Sequence, residues 1–242
     1  MTKHKVLSTK KLESSLIEQA KQSGVEISEQ EFIAIKPICT KEKQDEVLLW
    51  ALSRDVHYVV FTSANAVEAV KNYLRDGANG FAPNWKVFCI SGRTKAALQP
   101  FVKDERIVAT AEYGKHLAQK IVASGVKEVV FFCGNKRRDE LPAILKNAGI
   151  QVQEIVVYET IETPAPVTVD ADAVLFFSPS AVQSFFTANQ LKKNTVCFAI
   201  GTTTADAIKD FAGNKIIISD ATSQESLLAS VQLYFEGSTC SE

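Results

Sequence analysis

The feature that most constrains the fold is a strand-to-helix unit that the chain repeats. Residues 57–66 read H-Y-V-V-F-T-S-A-N-A, and residues 172–181 read D-A-V-L-F-F-S-P-S-A. Each is an apolar run of strand length that ends in small hydroxyl residues and leads into a helical pattern. Strands that alternate with helices predict a parallel sheet covered by helices on both faces.

A second pair of units extends the repeat. Residues 87–97 and 196–207 are both apolar strands that lead into a helix. The alignment places Thr94 opposite Thr204 and Ser91 opposite Gly201. Two similar α/β halves predict a cleft between them, and strand-to-helix corners are where such folds bind ligands.

The outer parts of the chain follow the same scheme. Residues 6–11 and 131–136 are both strands that run into a basic corner. Extended segments follow each of them and reach residues 36–38 and 157–159. We therefore predict that these two segments are the crossovers between the halves.

Composition places the chain among ordinary globular proteins. It has 242 residues, of which 46% are hydrophobic and 23% charged, and a formal net charge of −1. That charge gives no global reason to expect nucleic acid or an anionic membrane as a partner. No apolar run approaches the roughly 20 residues of a membrane span, and the start lacks the apolar segment of a secretory signal. We expect a cytoplasmic monomer.

Cysteine and histidine spacing argues against a metal site. The cysteines form no C-x-x-C pair, and the histidines are scattered. Buried, reduced thiols are the simpler interpretation. The cysteines are Cys39, Cys89, Cys133, Cys197 and Cys240.

Small hydroxyl residues at the corners allow two interpretations. Ser63 and Ser178 can simply cap their helices. The alternative is that free backbone N–H groups at these helix starts face an anionic ligand. Their occurrence in both halves favours a ligand, and the Gly201 corner adds Thr203 and Thr204 as donors beside a backbone that a ligand can approach.

The basic run after the strand at 128–133 is a further candidate for anion binding. It extends from Asn135 to Arg138 and directly follows Gly134, which is also a candidate site residue, and Lys10 occupies the matching corner in the other half. A basic run is usually a solvated surface, but arginine at a corner can bind carboxylates through two hydrogen bonds.

Tyr158 ends an extended segment at one predicted crossover. It can be an aromatic residue packed at a domain boundary, or a phenol that donates a proton to a leaving group. The sequence shows no Ser/His/Asp or Cys/His triad and no obvious carboxylate pair. Any chemistry must therefore depend on positioning and on weak acid–base assistance.

An ordered set of segments resembles uroporphyrinogen-III synthase across nearly the whole chain. They are F-T-S-A-N-A-V, I-S-G-R-T, F-F-C-G-N-K-R-R-D-E-L, V-V-Y-E-T, F-F-S-P-S-A-V and A-I-G-T-T-T-A-D-A-I. The single motifs are common in α/β proteins, whereas their order is specific. Ser91 departs from the family's usual glycine, and Thr202 stands where proline is frequent.

The resemblance implies an α/β fold of two similar lobes, each a parallel sheet flanked by helices, joined by a two-stranded linker. Residues 1–35 plus 162–242 would form lobe one, and residues 39–157 would form lobe two. Linkers would lie near 36–38 and 158–161.

The resemblance also implies a cofactor-free lyase of tetrapyrrole (haem) biosynthesis. Such an enzyme closes linear hydroxymethylbilane to uroporphyrinogen III, inverting ring D and releasing water. Tyr158 matches the family's tyrosine and becomes the candidate acid. Ser63 and Ser178 match the lobe corners, Thr203 and Thr204 match the G-x-T-T segment, and Thr94 matches its counterpart in the other lobe.

Two other functions stay open at this point. The same corners would serve a two-lobed binding protein or sensor for an acidic small molecule without catalysis. A structural module is the third possibility. The isomer that forms from hydroxymethylbilane discriminates between them, because unassisted closure gives uroporphyrinogen I and a synthase gives uroporphyrinogen III.

Overall fold

A computed structural model describes residues 4–77 and 83–238, without the side chains of 76, 77 and 238. Cys240 lies outside this part. The chain divides into two compact units, which we call the terminal unit (Met1–Ala34 with Ile161–Glu242) and the central unit (Ile35–Thr160). Among the helices described, none combines the length and apolar character needed to cross a membrane.

Strands and helices alternate along the chain, as the repeated apolar runs predict. In chain order they are β1 (His4–Ser8), α1 (Ser14–Gln22), β2 (Val25–Glu29), β3 (Ile33–Pro37), α2 (Lys41–Ala51), β4 (His57–Phe61), α3 (Ala64–Gly77), β5 (Trp85–Ile90), α4 (Arg93–Leu98), β6 (Ile107–Ala111), α5 (Gly114–Ala123), β7 (Glu128–Gly134), α6 (Glu140–Asn147), β8 (Gln151–Glu162), β9 (Ala173–Phe176), α7 (Pro179–Ala188), β10 (Val196–Ala199), α8 (Thr202–Lys209), β11 (Ile216–Ile218) and α9 (Gln224–Ser238).

Among the described residues, each unit contains one sheet. In the terminal unit the described strands lie in the order β11-β10-β9-β1-β2, and in the central unit in the order β3-β8-β7-β4-β5-β6. Within the terminal sheet β1 pairs in parallel with β2 and β9, and β10 pairs in parallel with β9 and β11. In the central sheet β4 pairs in parallel with β5 and β7, as β5 does with β6 and β7 with β8.

The two sheets share one strand order. Without β3, the central sheet reads β8-β7-β4-β5-β6, which matches β2-β1-β9-β10-β11 of the terminal sheet. Each sheet takes two strands from one sequence repeat and three from the other. This exchange explains how two consecutive repeats give two similar halves, and it confirms the predicted fold class.

The chain passes between the units within two neighbouring strands, β3 and β8. The Thr163 amide donates to the Phe32 carbonyl at 2.9 Å, and the Ile38 amide donates to the Val157 carbonyl at 3.1 Å. Residue numbers rise along one strand as they fall along the other, so these strands run in opposite directions.

Hydrophobic cores cover both faces of each sheet. In the central unit Val59 and Phe61 belong to the cluster under α2, α3 and α4, whereas Val60 belongs to the cluster under α5 and α6. This alternation follows from the period of two in a strand. Phe61 and Phe132 stack with ring centroids 5.3 Å apart, and burial of such a ring contributes about 1.5–3 kcal/mol.

The order of the strands places a switch point in each sheet. After β4 the chain moves through β5 and β6 on one side and then returns to β7 on the other side of β4. In the terminal sheet β1 and β9 are related in the same way. Open α/β sheets bind ligands beyond the carboxyl ends of the two strands at such a point.

Candidate active site

The switch point of the central sheet brings Ser63, Gly134 and Tyr158 together. Ser63 follows the carboxyl end of β4, Gly134 ends the adjacent β7, and Tyr158 lies on β8, opposite Gly134. The Tyr158 hydroxyl donates to Ser63 Oγ at 3.1 Å. These residues are 24 to 95 positions apart in the chain (158 − 134 and 158 − 63), so the sheet creates this proximity.

Ser63 both starts helix α3 and contacts Tyr158. Its Oγ accepts the backbone N–H of Asn65 at 3.2 Å, and its carbonyl accepts the amides of Ala66 and Val67 at 3.2 and 3.3 Å. A serine hydroxyl accepts two hydrogen bonds and donates one. Ser63 therefore caps the helix and still has a proton that can be directed to the phenol oxygen.

Burial raises the pKa of Tyr158 above its ordinary value of 10.0. Hydrogen bonding with Ser63 and with the side chain of Asn65 acts in the opposite direction and lowers this pKa, while Cys133 raises it. Desolvation disfavours the phenolate, whereas hydrogen bonds favour it. The phenol is therefore protonated at neutral pH, the state that a proton donor needs.

Gly134 is the place where the Tyr158 ring approaches the backbone of β7. A Cβ at Gly134 would lie 2.6 Å from Tyr158 Cε2 and 2.8 Å from its Oη. Such distances are shorter than real Cβ contacts, so the ring occupies the space that any other side chain would take. The structure thus places Gly134 against the candidate acid.

The basic corner contains two arginines in different surroundings. Arg137 forms ion pairs with Asp139 and Glu154, and Lys146 pairs with the same Glu154 at 2.9 Å. Arg138 is exposed and lies in the loop before α6, which begins two residues later. Arg137 thus has two acidic partners, and anion binding by Arg138 stays a prediction.

The corner after β5 differs from the alignment by one position. Gly92, not Ser91, precedes α4, and its φ of +70° is a conformation that favours glycine. Gly201 holds the matching place before α8 with an extended φ of 179°. Thr94 is 5% exposed, so its side chain packs inside the central unit and is not brought to the Tyr158 hydroxyl by any contact in the structure described.

The terminal unit has its own switch point between β1 and β9. The Thr9 hydroxyl donates to the Leu175 carbonyl at 2.8 Å and joins the two strand ends. Lys10 Nζ lies 5.8 Å from the centre of the Phe177 ring. Ser178 caps α7 by accepting the Ala181 amide at 3.2 Å, so Lys10 and Ser178 border the same switch point.

The next corner of the terminal unit follows β10. Gly201 precedes α8, whose first turn contains Thr203 and Thr204. Thr203 is exposed, but Thr204 is only 2% exposed. Direct contact of the Thr204 hydroxyl with a ligand stays a prediction, and its burial favours a role in packing α8.

Two cavities within the described residues lie at the opposite edges of the sheets. One of about 300 Å³ borders the starts of β9 and β10. The other, of about 230 Å³, borders the starts of β4 and β7. Neither includes a predicted site residue. These edges carry strand starts, so they lack the helix N-termini that favour anions.

Sequence reasoning missed Asn65 and Thr9. Asn65 lies two residues after the helix-capping serine and hydrogen bonds to Tyr158. Thr9 stands out in the sequence only as part of a basic corner. The signal for Asn65 was its place in the first turn of α3, where a side chain can turn back toward the strand ends.

The strand order and the two switch points define an α/β protein with two similar parallel sheets, each of which carries polar residues at its switch point. The chain matches the family model of uroporphyrinogen-III synthase (HemD) over residues 14–229. It belongs to the uroporphyrinogen-III synthase family, as the motif order predicted, and is an enzyme of tetrapyrrole biosynthesis.

Solved structures share the fold. A mutant uroporphyrinogen III synthase from the extremely thermophilic bacterium Thermus thermophilus aligns with a TM-score of 0.67 at 15% identity, covering 98% of this chain and 99% of that one. The uroporphyrinogen-III synthetase of Helicobacter pylori aligns with a TM-score of 0.64 at 17% identity, covering 96% and 99%.

Proposed function

We propose that this protein is a cofactor-independent lyase that converts hydroxymethylbilane into uroporphyrinogen III and water. The observation that carries the proposal is the Tyr158 phenol, hydrogen-bonded to Ser63 at 3.1 Å at the switch point of the central sheet. Membership of the family gives the substrate class, and the site offers a proton donor suited to a hydroxyl leaving group.

The reaction begins with loss of the substrate's hydroxyl. Electrons from the pyrrole nitrogen of ring A break the C–O bond of the hydroxymethyl group, and Tyr158 transfers its proton to the departing oxygen. The products of this step are water, an azafulvene cation that keeps the pyrrole N–H proton, and the Tyr158 phenolate. The substituted carbon of ring D then attacks the azafulvene carbon, and the resulting spiro intermediate fragments and recloses with ring D inverted. The proton lost at the final ring carbon returns to the phenolate.

Ser63 and Asn65 stabilise the phenolate in this scheme. Once the phenol proton has left, the Ser63 hydroxyl can rotate and donate to Tyr158 Oη, while Asn65 keeps its hydrogen bond. Preorganised donors aimed at a developing charge cost little reorganisation during the reaction. These two residues therefore partly offset the effect of burial on the acid.

No cofactor is required by this chemistry, because the substrate supplies both the nucleophilic carbon and the electrophilic carbon. The protein must hold a flexible chain so that ring D attacks through its substituted carbon. Holding reacting groups in position accelerates such steps by large factors. A lyase of this type depends on positioning and on one proton donor.

The acetate and propionate carboxylates of the substrate need cationic and N–H partners. In the central unit we assign Arg138 and the start of α3 at Ser63 to this task. In the terminal unit we assign Lys10, Ser178 and the Gly201–Thr203 corner. Helix N-termini and arginine favour carboxylates, and α7 and α8 present such termini at the carboxyl edge of their sheet.

Separation of the type I and type III isomers after incubation with hydroxymethylbilane tests the proposal. We expect the protein to give predominantly the III isomer. Tyr158→Phe should lower kcat about 100-fold, the lower end of the range for a general acid. Tyr58→Phe is the matched control, since its ring stacks on Phe88 near the start of β4, and it should retain the wild-type rate.

Two results would contradict the proposal. If wild-type protein yields the same isomer mixture as buffer while binding hydroxymethylbilane, the protein is a binding protein and not a synthase. If wild type makes the III isomer and Tyr158→Phe turns over at the wild-type rate, the activity stands but Tyr158 is not its acid.

A further inference from the structure

A register shift lies directly before Tyr158. Cys133 of β7 pairs with Val156 of β8, but Gly134 pairs with Tyr158. Two steps on β8 therefore correspond to one step on β7, and Val157 is the additional residue. A bulge of this kind redirects the side chain that follows it.

The bulge moves Tyr158 to the other face of the sheet. In a regular strand, Tyr158 would point with Val156 toward the core under α5 and α6. It packs instead against the cluster that contains Ile155 and Val157, under α2, α3 and α4. That is the face of α3, and Ser63 stands at the start of α3.

Ile38 and Tyr73 contact the backbone of the bulge at Val157. The Val157 carbonyl accepts the Ile38 amide at 3.1 Å and lies 3.4 Å from the Tyr73 hydroxyl. The same hydroxyl donates to the Ile38 carbonyl. Tyr73 thus joins α3 to Val157 of β8, the residue before the candidate acid, and to Ile38, which follows β3.

The Tyr73 hydroxyl is suited to act as a permanent hydrogen-bond donor. It is 5% exposed and belongs to the same hydrophobic cluster. Burial, followed by the nearby Cys39, raises the pKa of Tyr73 to about 12, so the hydroxyl keeps its proton across the physiological range. The phenol donates one proton, and the shorter contact directs it to the Ile38 carbonyl. Without the hydroxyl, the Ile38 carbonyl would lose this donor and the Val157 carbonyl would lose its contact with Tyr73.

We propose that Tyr73 is a positioning residue for the reaction: its buried hydroxyl fastens the bulge at Val157 and thereby sets the direction of the Tyr158 phenol. The proposal rests on the function proposed above. Helix α3 then contributes to the position of Tyr158 at two points. Ser63, at its start, contacts the phenol. Tyr73, near its other end, contacts the backbone of the residue before Tyr158.

Tyr73→Phe tests the proposal, because it keeps the ring and removes the hydroxyl. We expect kcat to fall about tenfold and KM to change less than twofold, since the acid is misdirected while the carboxylate ligands remain. Tyr73→p-aminophenylalanine restores a donor and should recover most of the rate. Tyr58→Phe again serves as the control.

A spectroscopic readout separates this proposal from the proposed activity. In protein labelled with 3-fluorotyrosine, the Tyr158 resonance is assigned by its loss in Tyr158→Phe. In Tyr73→Phe that resonance should shift, and its titration midpoint should fall below that of the labelled wild-type protein as the phenol gains solvent. This result is independent of whether the protein forms uroporphyrinogen III.

Two outcomes would overturn the proposal. One is an unmoved Tyr158 resonance in Tyr73→Phe. The other is a loss of thermal stability in Tyr73→Phe with unchanged kcat, which would make Tyr73 a purely structural residue. If Tyr73→Phe does not fold, 4-fluorophenylalanine at position 73 fills the oxygen's space without donating, and the same two readouts apply to it.

Discussion

Gly134→Ala gives the most direct test of how Tyr158 is held. The added Cβ would lie 2.6 Å from Tyr158 Cε2 and 2.8 Å from its Oη. Carbon atoms in contact are ordinarily about 3.5–4.0 Å apart, so the ring must retreat by about 1 Å. The backbone at Gly134 does not need a positive φ, since such glycines in the described chain are Gly24, Gly92, Gly125 and Gly149.

The consequence is a misplaced phenol in an otherwise folded protein. The clashing atoms are the far end of a partly exposed side chain, which can swing away. A 1 Å retreat would lengthen the 3.1 Å contact with Ser63 to roughly 4 Å, beyond hydrogen-bonding distance. Misplacement by about 1 Å can cost about 100-fold in rate, equivalent to about 2.7 kcal/mol of activation free energy.

The assay is kcat for formation of the III isomer, measured beside thermal unfolding. We expect Gly134→Ala to lose about 100-fold in kcat while its melting temperature stays within a few degrees of wild type. Gly213→Ala is the matched control, because a Cβ there meets nothing within 4 Å. A Gly134→Ala enzyme with the wild-type rate would refute the view that close packing of this ring positions the acid.

Further predictions concern charge and pH. Arg138→Ala should raise KM several-fold with little change in kcat, whereas Arg137→Ala should cost about 1–2 kcal/mol of unfolding free energy through its partly buried ion pair with Glu154; equal KM values for Arg138→Ala and wild type would remove Arg138 from the substrate site. Because burial raises the pKa of Tyr158 above 10.0, kcat should hold through neutral pH and fall only as pH rises through that pKa; a pH profile of Tyr158→Phe with the same alkaline limb would contradict the assignment. Burial also raises the pKa of Cys89 and Cys133 from 9.0 to about 11 and that of Cys197 to about 12. The unfolded chain therefore loses these protons first, and the unfolding free energy in urea should decline as pH rises above about 9; a flat profile from pH 8 to 10.5 would show that these thiols are not desolvated.

The local pattern of the chain determined its secondary structure and the candidate corners. The signals involved act within a few residues. They are apolar runs of strand length, capping residues such as Ser63 and Ser178, and Pro179 at the start of α7. Such signals depend on backbone period and on capping chemistry, so they can be read from the sequence alone. The paired repeats likewise predicted two similar sheets.

Pairing between strands that are distant in the chain decided the geometry of the site around Tyr158. At the bulge at Val157, β8 pairs with β7 on one side and is contacted by Ile38 and Tyr73, both distant in the chain. Strict alternation along β8 would have placed Tyr158 on the wrong face. The close approach of its ring to Gly134 and its hydrogen bond to Ser63 arise only when three separate strands meet at one edge, because register depends on partners that are distant in the chain.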